Sequence, residues 1–317
     1  MPQYAYTGSG EYCYANSLHM CLRAAGGGAN LPDPGFLECL TVMPFGAGYF
    51  RLSEGAFALL SPITIDPDAG LTLALETLGW TYDEWQGDDA DDAMAHLRVG
   101  LTHGPVRLGP LDMGYLPYYP DYRREPGSDH HVVALAVEGE CVRLHDPAGY
   151  PYAALPVPDF LTAWRADSID WQHGSYRMRA HFRPTTPRNR AEMIACTLPH
   201  IAAALTADPG GPIRYGGIRA LRFFADDLRG PDAACFGQSL TRFLLPLTAR
   251  RALDGAAFLA EAGRTDGAVL LDRKARRCGD AQLLAVRGDY EAVAAIVDEF
   301  AEIHAALATM LTAAPVR

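Results

Sequence analysis

A chain of 317 residues is long enough for two hydrophobic cores, and its net charge of −11 disfavours nucleic acid and anionic membrane surfaces as partners. Hydrophobic residues make up 49% and charged residues 21%, a globular balance that excludes a disordered chain.

The start, MPQYAYTGSGEYC, has neither a basic region nor an apolar run, which argues against a secretory signal. Nor does any stretch reach the ~20 apolar residues of a membrane helix. A cytoplasmic location is therefore expected, with the seven cysteines as free thiols. After Cys13, the residues Ala15, Leu18, Met20, Cys21, Leu22 and Ala25 predict a short helix stopped by Gly26–Gly28. Helices are also predicted over 71–78 and over 89–99, where acidic residues fill the first turn. GPVRLGPL (104–111) reads as a strand, and HVVALAV (131–137) with CVRLHDP (141–147) as a hairpin around Glu138-Gly139-Glu140. VPDFLTAW (157–164) reads as a helix capped by Asp159, and SYRMRAHF (175–182) as an outer strand.

Two prolines and three arginines in FRPTTPRNR mark a boundary. Beyond it the apolar spacing is helical to the end, ending with Val293, Ile296, Val297, Phe300, Ile303, Leu307 and Met310, with stops at Gly210-Gly211 and Gly230-Pro231. The reading is an α+β domain over 1–185 and an all-helical domain over 186–317. The use of Ala, Gly, Arg, Asp and Pro with one lysine, Lys274, points to a bacterium of high GC content.

A thiol is a better nucleophile at a helix N-terminus, where the thiolate is stabilised. Cys13 is the cysteine in that position; Cys21, Cys141 and Cys196 read as packing thiols. A cysteine nucleophile needs a base, and the base needs an orienting partner. His131 opens one hairpin strand and Asp146 closes the other, so both fall at one sheet edge. His130 competes with His131, because adjacent strand residues face opposite sides and one of the two reaches the thiol. His131 is the favoured base and His145 a weaker competitor. A metal site of Asp129, His130 and His131 would lack helical or turn spacing.

GEYCYANSLHMCL, GPVRLGPLDMGYLPYYP, DHHVVALAV and LHDP together resemble, in order, the N-terminal domain of the butirosin-biosynthesis acyltransferase family. The resemblance implies a papain-like cysteine peptidase/transferase fold over about 180 residues, followed by a helical domain. It implies an acyl or aminoacyl group moved from an acyl carrier protein or acyl-CoA through Cys13 to an amine or hydroxyl of a small-molecule acceptor, in antibiotic biosynthesis. Asp112, Tyr115 and Tyr118 would line the acceptor pocket. No metal or cofactor is expected, the acyl donor being carried on phosphopantetheine, and the arginines from Arg177 to Arg190 would meet an acidic carrier. Papain-like enzymes place an oxyanion-donating glutamine about six residues before the cysteine; here that position is Thr7, and Gln3 lies ten residues away. A peptidase or amidase using the same three residues is the alternative, and a non-catalytic binding module a third. Whether the chain forms a homo-oligomer is left open.

Overall fold

The computed structural model describes all residues except 1–3, 9, 11, 29–30, 53–54, 60–63, 121, 170, 187, 210–213 and 313–317. Two compact units are formed. The first holds Met1–Pro34 and Leu78–Pro187, the second Gly35–Thr77 and Arg188–Arg317. The single boundary expected near residue 186 therefore misses a second exchange, since residues 35–77 belong with the C-terminal helices. Their helix Pro34–Leu40 buries Phe36, Leu37 and Leu40, and Glu38 on that helix pairs with Arg251. Local patterning carries no trace of such a long-range pairing.

The first unit is built on a six-stranded antiparallel sheet. Its strand order is Trp80–Trp85, Met178–Pro184, Val106–Asp112, Asp129–Glu138, Cys141–Asp146 and Tyr150–Pro156. The hairpin at Gly139 forms because glycine accepts the positive φ of 59° that the turn needs. One sheet face carries Val106, Leu108, Val132, Ala134, Val142 and Leu144, a period-two set. They pack with Ala93, Met94 and Leu97 of the helix Ala90–Leu101 and with Phe160, Ala163 and Trp164 of the helix Val157–Arg165. Asp89 caps the former, accepting from Asp91 N and Asp92 N at 2.9 Å. Asp159 instead sits inside the first turn of the latter, whose N-cap is Pro156. The helix Cys13–Leu22 packs against the strand Asp129–Glu138 and leads into a π-turn over Arg23–Gly27.

The second unit combines a three-stranded sheet (Gly55–Leu59, Gly48–Leu52, Arg214–Gly216) with long helices Arg190–Thr206, Gly217–Leu228, Leu245–Glu261, Thr265–Val286 and Tyr290–Thr312. Their apolar stripes meet in a core of Leu221, Phe224, Leu240, Ile296, Val297 and Phe300 with Tyr49 from the sheet. The expected stop at Gly210-Gly211 lies outside the described residues. No described helix is long and apolar enough to cross a membrane.

Candidate active site

Cys13 is the first residue of its helix, and its N-cap, Tyr12, supplies no side-chain cap to the first-turn N–H groups. The helix end thus presents backbone donors and a positive dipole beside the thiol. Thr7, at the glutamine position of papain-like enzymes, is engaged elsewhere: its Oγ1 lies 3.1 Å from His19 Nδ1. Gln3 lies outside the described residues.

Register decides which histidine lies beside Asp146. Val133 pairs with His145 and Ala134 with Leu144, so the same register sets Val132 opposite Asp146. His130 is two residues from Val132 and shares its face, which makes His130 and Asp146 diagonal neighbours. His130 Nε2 lies 2.7 Å from Asp146 Oδ1. Cys13 neighbours the same imidazole, on which Asp146 occupies Nε2 and leaves Nδ1. Asp146 Oδ1 also accepts from Ala148 N at 2.7 Å, and Oδ2 from the Tyr118 hydroxyl at 2.7 Å. Behind it, the Tyr6 hydroxyl donates to the Asp146 carbonyl at 2.8 Å and accepts from Gly149 N at 3.0 Å.

Burial alone would depress the His130 pKa, yet the Asp146 carboxylate raises it well above the ordinary histidine value, with Cys13 adding to the rise. Asp146 moves the other way: burial pushes it up, but the His130 charge and the donors around it hold it below the usual carboxylate range.

The expectation that His131 is the base is corrected by this geometry. It points to the opposite face, is fully buried, and its Nδ1 hydrogen-bonds Arg107 Nη2. A guanidinium can only donate, so Nδ1 accepts and the proton resides on Nε2. Burial and the Arg107 charge hold the His131 pKa well below the ordinary range. Its ring meets Tyr14 edge-on at 4.7 Å and stacks on Trp171 at 6.3 Å. Gly109, at φ 152°, makes room for it, since a Cβ there would lie 2.0 Å from His131 Nδ1. His145 is structural too: Tyr152 N donates to its Nδ1 at 3.1 Å, and its Nε2 donates to Tyr4 O at 3.2 Å.

The residues assigned to an acceptor pocket separate into three roles. Asp112 is fully buried, accepting from Gly114 N at 2.7 Å, from Gly127 N at 3.0 Å and from Ser168 Oγ, so it holds loops together. Tyr118 binds Asp146. Tyr115, 46% exposed, does line a groove of about 380 Å³ with Leu161, Arg165 and Tyr176. Asp129, weighed in sequence only as a metal ligand, instead accepts from the Tyr14 hydroxyl next to His130.

Elsewhere, burial pushes the Cys21 and Cys278 thiols up to about 12, whereas Cys196, read as a packing thiol, is exposed. Among the described residues, no group of three His, Cys, Asp or Glu is placed to hold a metal. The arginines expected to meet a carrier form ion pairs within the chain, with Arg179 buried and Arg183 and Arg190 exposed. Arg177 and Arg179 pair with Glu84 at 2.8 and 3.1 Å, Arg183 with Asp83 at 2.7 Å, and Arg190 with Glu261 at 2.6 Å.

The YobF C-terminal domain matches residues 212–312, within the helical unit. YobF of Bacillus subtilis (strain 168), described as an uncharacterized protein, is 30% identical over 301 residues, covering 94% of this chain and 95% of that protein. The chain belongs to the YobF family. The similarity to YobF spans both units, so the relative shares the whole two-unit length and not the helical part alone.

Proposed function

We propose that this YobF-family protein is a cysteine-dependent acyltransferase whose first unit has a papain-like fold. The observation that carries the reading is the His130–Asp146 hydrogen bond next to Cys13, with the thiol at an uncapped helix N-terminus. The resemblance of its motifs to the butirosin-biosynthesis acyltransferases supports the choice of transfer.

In the proposed reaction His130 Nδ1 takes the Cys13 proton as Sγ attacks the carbonyl of a carrier-protein or CoA thioester. The backbone N–H of Cys13 stabilises the oxyanion. The carbon–sulfur bond of the donor breaks, the donor thiol leaves with the proton from His130, and Cys13 holds the acyl group as a new thioester. An amine or hydroxyl of a small-molecule acceptor then attacks; His130 takes its proton and returns it to Sγ as the amide or ester forms. Energy is conserved at the thioester stage, so transfer to an amine remains downhill. Asp146 keeps the imidazole oriented and stabilises its cation throughout. In this reading the chain works in the cytoplasm.

The test is intact-mass measurement of the full chain after mixing with a panel of acyl-CoA and acyl-carrier thioesters. A mass gain that is absent in Cys13→Ala and discharged by added amines supports transfer. Discharge by water alone, with turnover of peptide or amide substrates, would assign a hydrolase instead.

A further inference from the structure

We infer that Tyr118 is a positioning residue for this chemistry, acting through Asp146 by fixing the carboxylate that orients His130; the inference rests on the acyl-transfer reading above. Asp146 is fully buried, and a buried carboxylate must find donors for both oxygens. Oδ1 is served twice, by His130 Nε2 and Ala148 N, each at 2.7 Å. Oδ2 receives the Tyr118 hydroxyl at 2.7 Å. With both oxygens held, the carboxylate cannot rotate away from the imidazole.

The Tyr118 ring is itself set by the fold. It lies edge-on to Tyr150, at 5.5 Å, on the strand that follows the Asp146 turn. Tyr119 contacts Tyr150 from the same loop, at 5.2 Å. Burial, then the Asp146 charge, raises the Tyr118 pKa well above the ordinary tyrosine value, so the phenol stays a donor across the working range. The second tyrosine on this residue, Tyr6, bonds the Asp146 backbone carbonyl and leaves the carboxylate alone. It is therefore the natural comparator. The charged or titratable groups around His130 are Cys13 from the helix, Asp129 and His131 from its own strand, and Asp146 from the neighbouring strand.

In Tyr118→Phe the ring remains but Oδ2 becomes a buried acceptor without a donor. The carboxylate is then harder to keep charged and free to turn, and both effects weaken its hold on the imidazolium. The experiment follows the His130 ring by NMR in histidine-labelled full-length protein across pH. Tyr118→Phe should lower the His130 midpoint by about one unit, with Tyr6→Phe moving it much less. In an Asp146→Asn background the same change should add nothing, because the route through Asp146 is gone. With an acyl donor in hand, kcat should fall while KM holds; a residue lining the acceptor pocket would raise KM and leave the His130 titration alone. An unchanged His130 midpoint in Tyr118→Phe, or an equal shift in the Asp146→Asn background, overturns the inference. A wild-type His130 midpoint in the ordinary histidine range would instead remove the Cys13–His130–Asp146 reading itself.

Discussion

His130 Nε2 sits 2.7 Å from Asp146 Oδ1, while its sequence neighbour His131 is turned to the other sheet face and hydrogen-bonded to Arg107. Two adjacent histidines thus have opposite electrostatics: a carboxylate favours the charged form of one, and a guanidinium with burial favours the neutral form of the other.

That contrast fixes the sign of their pH dependence. The folded state raises the His130 pKa, so its contribution to stability is full below the unfolded value of about 6.5 and is lost as pH rises through the folded value. Asp146, held low, contributes above about 3.9 and loses that contribution as pH falls through its folded value. His131 is the reverse of His130. The unfolded chain binds a proton there that the folded chain refuses, so stability drops as pH falls below about 6.5. Denaturant unfolding across pH should show the acid penalty relieved in His131→Phe and the alkaline decline relieved in His130→Phe. The same slope change in both variants would contradict the assignment.

Gly109→Ala should be among the most damaging changes in the first unit. The new Cβ would fall 2.0 Å from His131 Nδ1, on a backbone φ of 152°. Relief requires moving a buried ring away from Arg107, and a loss above about 3 kcal/mol is expected. Chemical denaturation, or failure of the variant to accumulate in soluble form, checks it; a near-neutral result would argue against the packing described.

In the second unit, Arg251 pairs with Glu38 at 2.6 Å, and both side chains are buried, at 5% and 1% exposure. Removing one partner strands a charge. Arg251→Met should cost about 3–5 kcal/mol, and the Glu38→Gln, Arg251→Met double variant should recover part of it. A double-mutant cycle on unfolding free energies measures the coupling.

Asp112→Ala should weaken the fold and spare any acceptor specificity. It removes acceptors for Gly114 N, Gly127 N and Ser168 Oγ, so a loss of about 1–3 kcal/mol is expected. A selective rise in acceptor KM with unchanged stability would return Asp112 to the pocket.

Much of the first unit was legible in sequence because its signals are local. The helix after Cys13, the 131–137/141–147 hairpin and the helix after 157 all stand where periodicity and turn residues put them. Asp146 stands at the expected sheet edge beside a histidine because a hairpin with a fixed turn brings its two ends together. The choice between His130 and His131 failed because it depends on register, and a one-residue change of register swaps the faces. Tyr118 and Asp112 were given binding roles on resemblance alone; their side chains turn inward for reasons set by tertiary contact. Residues 35–77 escaped for a related reason, since their partners lie more than a hundred residues away.

The most direct test of the account needs no substrate. The full chain is treated with limiting iodoacetamide, and alkylation of each cysteine is followed by peptide mass spectrometry, with the exposed Cys196 and Cys235 as internal references. If His130 activates Cys13, His130→Ala slows Cys13 alkylation relative to the references by about tenfold or more, whereas His131→Phe in folded protein changes it little. Loss of Cys13 reactivity in His131→Phe with retention in His130→Ala would contradict the account.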